Sequence, residues 1–264
     1  ATDGGNLILN DKEKEDLILE NKNSIKYLKK YIGSYEFFHG ISRWCLWISD
    51  KEKENAMQIK SIKERIEKVK NFRLNSKSPG TKQAALYSHR FKSIPKAPTN
   101  ALLVPAVSSE NRIYVPYGFV DSSYIVSANS NVIFDPPLYV FSVLSSRMHM
   151  VWFRTVAGRL RTDFRYSVGF CYNPFPFPSI NENQIKKLEE KALIILDERE
   201  KFSEMTLAQL YDSKKMPESL LKKHQDLDES IDNLYEKKGF ISDDERIKYL
   251  FNQYEKNTNR EKLI

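Results

Sequence analysis

Residues 154–166, RTVAGRLRTDFRY, hold the side chains best suited to chemistry with a polyanion. From Arg159 onward they alternate with period two, so in an extended chain Arg159, Arg161, Asp163 and Arg165 share one face while Leu160, Thr162, Phe164 and Tyr166 share the other. One face would anchor in a core and the other would be presented. Arg donates twice to guanine O6 and N7, and Asp accepts from cytosine N4 of the same pair, so guanidiniums around one carboxylate can read a base pair in the major groove. The same spacing also suits a surface salt-bridge ladder. Two polar stretches fall between apolar runs: SSENR at 108–112, with Glu110 and Arg112, and SANSN at 127–131, with Ser127 and Asn129. Either could touch bases or phosphates, or form ordinary turns. Arg154 opens the basic stretch and belongs to the same candidate set.

Catalytic chemistry leaves no comparable trace. The nine glycines form neither a G-x-G-x-x-G nor a Walker A loop. His39, His89, His149 and His224 have no companions at metal-ligand spacing and read as packing or surface residues. Two stretches approach the Asp/Asn-Pro-Pro-aromatic loop by which amino-methyltransferases hold a target amine. Asp135-Pro136-Pro137-Leu138 lacks the aromatic, and Asn173-Pro174-Phe175-Pro176 lacks the paired prolines. Glu189-x-Lys191 fits the tail of a metal-nuclease motif but lies in a helix, where such carboxylates are usually solvated. No catalytic, cofactor-binding or metal site is expected in this chain.

Charge is distributed unevenly. The 264 residues carry a net +7, yet residues 72–178 hold 12 basic and 4 acidic groups, a local +8, against +2 before them and −3 after. Eight of those twelve are Arg, whereas thirteen of the sixteen basic groups after 178 are Lys. Arg offers a planar donor fork matched to phosphate and guanine; Lys mixed with Glu suits solvated helix faces. The middle segment is therefore the expected binding surface, its guanidiniums gathered on one exposed wall. Composition, 41% hydrophobic and 29% charged, suits a globular protein and excludes a disordered or collagen-like chain. No apolar run approaches a membrane span. Cys45 and Cys171 read as two buried thiols of a reduced, cytoplasmic protein. The opening Ala1-Thr2-Asp3 reads as an excised piece of a longer protein.

The elements that must position these side chains follow from periodicity. Asn10-Asp11 reads as a capped helix start. Ile25, Leu28 and Ile32 mark a second short helix ending at Gly33, and 44–48 is an apolar strand. Ile59, Ile62, Ile66 and Val69 form one stripe of a helix over 52–72. Residues 76–100, with Pro79-Gly80, Pro95 and Pro98, read as a loop. Runs at 102–107, 113–115, 124–126, 132–134 and 168–172 suggest a small twisted sheet, with a helix inserted from Leu138 to Val151. Residues 174–178 form a proline-stiffened linker. Three helical stripes follow, on Ile185 to Ile195, Leu220 to Leu234 and Ile247 to Tyr254. The fold class is α+β: a mixed or antiparallel sheet with flanking helices over 1–178, then an all-α domain over 179–264.

Several of these stretches resemble the C-terminal part of the MmeI-like enzymes. They are DGGNLIL at 3–9, YIGSYEFFHGISRWCLWI at 31–48, LVPAVSSENRIYVP at 103–116, RMHMVWFRTVAGRLRTDFRYS at 147–167, YNPFPFP at 172–178, LAQLYDSKKMP at 207–217 and HQDLDESIDNLY at 224–235. That family comprises single-chain type IIG restriction-modification enzymes in which a nuclease and an N6-adenine DNA methyltransferase core precede a target recognition domain and a helical C-terminal domain. The resemblance spans nearly the whole chain in order. It implies that 1–178 is the target recognition domain and that the fragment itself is no enzyme. S-adenosylmethionine and magnesium would be needed only by the full-length enzyme, whose upstream methyltransferase domain and double-stranded DNA would be the partners. It also implies that Arg161 and Asp163, with Arg165 two further on, specify one base, a basic and acidic pair being associated with guanine. Further base-reading positions fall in the loops at Glu110 and at 127–129. This chain has Arg161 where Lys is commoner and Pro174 where Thr is usual. An RNA or general nucleic-acid-binding module, and a helical protein-interaction scaffold, are the alternative readings. The first should expose aromatic stacking platforms, and the second should bind with little salt dependence.

Overall fold

The computed structural model describes residues 2–93, 100–128 and 130–261, the last two, Arg260 and Glu261, by backbone alone. Pro95, Pro98 and Asn129 lie outside the described residues. The chain forms two compact units, one from residues up to 99 together with 120–129, the other from 100–119 together with 130–264.

In the first unit Asn10 starts the helix Asp11–Glu20 as its sequence requires. The Asn10 side chain accepts the Glu13 N–H at 2.9 Å, and the Glu13 carboxylate takes the Asn10 N–H at 2.9 Å, satisfying two otherwise unpaired donors. The helix expected through Ile25, Leu28 and Ile32 is absent. Asn21 caps only a 3-10 turn, Lys22–Tyr27, and Leu28–Ile32 is a strand. It pairs antiparallel with Trp44–Leu46 and parallel with Tyr124–Val126, in a sheet that Ile8–Leu9 completes. A few apolar residues at helical spacing cannot outweigh two hydrogen-bonded ladders, because a helix this short scarcely repays its nucleation. The stripe over 52–72 does form a helix, but it breaks at 57–59 into Lys53–Ala56 and Lys60–Leu74. Ile62, Ile66 and Val69 then pack with Leu7, Leu9, Leu17, Leu46 and Ile48 in the unit's core.

The stretch read as a loop from 76 contains a short helix, Pro79–Gln83, and a 3-10 turn, Ala84–Tyr87. Pro79 stands in the first helical turn, where its missing N–H costs nothing. Arg73 fixes this excursion. Fully buried, it donates from Nε to the Thr2 carbonyl at 2.9 Å, from Nη1 to those of Ala84 at 2.9 Å and Tyr87 at 3.0 Å, and from Nη2 to that of Arg90 at 2.8 Å.

In the second unit the run 102–107 is divided at Pro105. Strand Asn100–Val104 pairs antiparallel with Asn131–Phe134, while Val107–Ser108 joins a different sheet. Residues 113–115 are buried or half-buried without being a strand, and 168–172 form a turn of π-helix, closed by the Asn173 N–H on the Val168 carbonyl at 2.9 Å. The inserted helix is two helices, Leu138–Leu144 and Arg147–Val156. Ser146 divides them: its hydroxyl donates to the Val143 carbonyl at 2.7 Å and also accepts from the His149 N–H as the second helix begins.

Helices Glu182–Glu200, Glu218–Tyr235 and Asp243–Glu261 follow the three predicted stripes. They share one core with the preceding elements: Leu188, Ala192, Ile195, Leu227, Ile231 and Leu250 pack in the same cluster as Leu102, Phe141, Trp152 and Phe164. The linker at 174–178 is drawn into it, since the buried Phe175 lies edge-on to His149 at 4.9 Å. The result is an α+β protein.

Candidate nucleic-acid interface

The basic stretch is a hairpin rather than one continuous strand. Gly158–Leu160 pairs antiparallel with Asp163–Arg165, and Arg161-Thr162 is the two-residue turn. Arg161 has φ of 59°, the left-handed region in which a glycine would be usual at the first position of such a turn. Val107–Ser108 adds a third strand on the far side of Asp163–Arg165, with Ser108 opposite Phe164 and Val107 opposite Arg165.

Folding back changes which side chains share a face. Arg159 is directly opposite Phe164, so it stands on the Phe164 side and not with Asp163 and Arg165 as an extended ribbon requires. Its guanidinium lies 3.8 Å from the Phe164 ring centroid, and its Nη1 donates to the Thr162 carbonyl at 2.8 Å, bracing the turn. Asp163 lies opposite Leu160, on the face of Arg165. Phe164 and Tyr166 do anchor the hairpin: Phe153 contacts both, at 5.5 and 5.2 Å between centroids. Beneath them the His149 Nε2 lies 3.1 Å from the Tyr166 hydroxyl. Burial pulls His149 down to about 3, so the ring is neutral near neutral pH.

The loop at 108–112 comes to the same place. Its turn closes with the Arg112 N–H on the Ser109 carbonyl at 3.3 Å. Exposed Glu110 pairs with Arg159 at 3.4 Å, and the Arg112 Nη1 donates to the Ser108 hydroxyl at 3.4 Å. Burial lowers the Arg112 pKa, opposed by Asp163 and Asp212, which places Arg112 within electrostatic reach of Asp163. Arg161 and Arg165 are exposed and, among the described residues, form no ion pair. The hairpin tip and the adjoining turn thus present Arg159, Arg161, Arg165, Glu110 and Asp163, with Arg112 half-buried behind them.

Other members of the predicted set are placed differently. Arg154 donates from Nη2 to the Arg112 carbonyl at 2.7 Å and to that of Glu110 at 3.4 Å. Ser127 belongs to the other unit, directly after strand Tyr124–Val126, with its N–H on the Ile32 carbonyl at 2.7 Å. Asn129 is outside the described residues. The eight Arg of the middle segment are not all presented: Arg73 is fully buried, and Arg147 is held by Asp243 of the last helix. Charge counted along the chain therefore exceeds charge presented to a partner.

Sequence reasoning missed the residues that fix the 110–117 segment from behind. Tyr114 donates to the Asp228 carboxylate at 2.5 Å and stacks on His224 at 4.3 Å. The Arg199 Nη1 donates to the Tyr117 carbonyl at 2.6 Å, and its Nε to the Tyr211 hydroxyl at 2.5 Å. Asp228 also accepts the Arg147 N–H at 2.6 Å, and burial pushes it up to about 7. The available signal was acids and histidine among the apolar positions of 220–234.

The basic hairpin is thus displayed by a three-stranded antiparallel sheet whose inner face packs on helix Arg147–Val156. Residues 1–179 match the family described as MmeI, target recognition domain, and residues 180–261 match MmeI, C-terminal domain. The chain belongs to the MmeI family. It is 41% identical over 258 residues to DNA methyltransferase A of Bacillus subtilis (strain 168), covering 98% of this chain and 29% of that protein. It also superposes with a TM-score of 0.93 and 41% identity on the type IIL restriction-modification enzyme MmeI solved in complex with DNA, covering 98% of this chain and 34% of that one. This chain therefore spans about a third of the length of these relatives, and it comprises the family's target recognition and C-terminal domains.

Proposed function

We propose that this chain is the double-stranded DNA sequence-recognition module of a bifunctional restriction enzyme and adenine-N6 DNA methyltransferase. The observation that carries the reading is the hairpin tip, where Arg161 and Arg165 stand exposed beside Asp163, without ion pairs among the described residues, on a sheet anchored through Phe164 and Tyr166. Arg161, Asp163 and Arg165 read one base pair, in which guanine takes the guanidinium and its cytosine offers N4 to the carboxylate. Arg159, Glu110 and Arg112 shape the adjoining contact surface, and the loop at Ser127 and Asn129 supplies further contacts. Phosphate contacts give most of the affinity and base contacts the specificity. The relatives' names, a DNA methyltransferase and a restriction-modification enzyme complexed with DNA, support this assignment.

Catalysis belongs to the remaining two thirds of such a protein, in the cytoplasm. The reading accordingly places S-adenosylmethionine and magnesium on the upstream methyltransferase and nuclease domains. This module would hold the site while the target adenine is flipped out for methylation. The test is binding of the full-length protein to duplex and to single strands of the same sequence over a range of salt. Duplex preference, with affinity falling steeply as salt rises, is expected; equal affinity for single strands, or binding indifferent to salt, contradicts it.

A further inference from the structure

Arg154 opens the basic stretch, yet its surroundings differ from those of the exposed arginines at the hairpin tip. It occupies the last turn of helix Arg147–Val156, half-buried, with its guanidinium 6.0 Å from the Phe164 ring centroid. The Nη2 donates to two carbonyls of the neighbouring turn, that of Arg112 at 2.7 Å and that of Glu110 at 3.4 Å. Its Nε is buried with no hydrogen-bond partner among the described residues, so the side chain is held by the Nη2 contacts and by packing. A guanidinium placed this way lies between the helix, the hairpin and the turn, with its Nη2 donating to backbone oxygen.

The consequence concerns the two side chains that the turn displays. Glu110 meets Arg159 of the hairpin at 3.4 Å, and Arg112 lies within the field of Asp163, so any shift of the turn moves charges beside the reading carboxylate. Displacements on the order of 0.5 Å decide whether a donor fork meets a base edge. We propose that Arg154 is a positioning residue for base reading: it sets the 109–112 turn against the hairpin and makes no phosphate contact. This rests on the assignment of the hairpin as the DNA-reading element.

The two roles separate cleanly in experiment. The full-length protein and its Arg154→Gln, Arg154→Lys and Arg161→Ala variants are each used to select from a pool of random-sequence duplexes. The salt dependence of affinity is then measured on the duplex that the unaltered protein prefers. The expected result is that Arg154→Gln flattens preference at one base-pair position by on the order of tenfold, with the slope of log affinity against log salt unchanged. Arg154→Lys, which keeps the charge but loses the fork, should flatten the same position less. A slope smaller by about 0.9 for Arg154→Gln with preference intact marks a lost phosphate contact and overturns the proposal. Loss of affinity spread evenly over all positions, with Arg154→Lys indistinguishable from the unaltered protein, overturns it as well. Arg161→Ala serves as the control: if it flattens a position and neither Arg154 variant does, the positioning role alone is wrong. If Arg161→Ala changes no position, the hairpin assignment itself is wrong.

Discussion

Arg161 combines two demands that oppose each other. A left-handed backbone costs an L-residue roughly 1 to 2 kcal/mol, and glycine would occupy the same turn without that penalty. Arg161→Gly should therefore stabilise the fold by about 1 kcal/mol in denaturant titration while abolishing discrimination at one base pair, a loss worth roughly 1 to 3 kcal/mol. Destabilisation by this substitution would show that the side chain holds the turn instead of serving it. His149 makes a second residue-level prediction. Its folded pKa of about 3 lies below the unfolded value near 6.5, so it binds no proton in the fold where the unfolded chain does. Its contribution to stability is complete above pH 6.5 and is lost as pH falls towards 3. Denaturation midpoints of the protein and of His149→Gln should show a smaller acid slope for the variant; equal slopes would contradict a buried neutral ring. The faces of this hairpin were only half legible in the sequence. Period two showed Phe164 and Tyr166 turned inward, but a turn built on Arg-Thr carries no glycine, asparagine or proline to announce it, so Arg159 was placed on the wrong side.

Elements were legible where local chemistry and packing agree. The Asn10 cap and the long stripes after 180 are local signals, and both formed as expected. Asn10→Ala should lower stability by about 1 kcal/mol in urea titration, and an unchanged midpoint would mean the box contributes nothing. Where pairing is non-local the sequence misled: Leu28–Ile32 has helical spacing, but the strands on either side of it come from 44–46 and 124–126. The network behind the 110–117 segment was illegible for the same reason, since Tyr114 and Asp228 are 114 positions apart. Burial raises Asp228 to about 7 against an unfolded value near 3.8, so this group takes up a proton on folding. Its stabilising share is full below pH 3.8 and falls as pH rises towards 7, opposite in sign to His149. Asp228→Asn should remove that decline, seen as a flatter midpoint between pH 4 and 7. A variant with the parent's slope would show that Asp228 is ionised throughout.

At the scale of the molecule, the middle segment's excess of +8 overstates the charge left free at its surface. Arg73 directs its donors to carbonyls, Arg147 pairs with Asp243 and Arg154 faces the 109–112 turn. Specificity on this account comes from a few guanidiniums at a hairpin, with the rest of the positive charge serving the scaffold or the phosphates. The shared core of the second unit adds a constraint that charge counting cannot supply, because the helices after 181 complete the packing around Phe141 and Trp152. The central claim, that the hairpin tip reads a base pair, is tested most directly by exchanging its charges. Arg161→Glu with Asp163→Arg in the full-length protein should shift the sequence recovered from a random duplex pool at one position, replacing guanine with another base, and leave all other positions unchanged. Recovery of the original sequence by the doubly substituted protein would contradict the account.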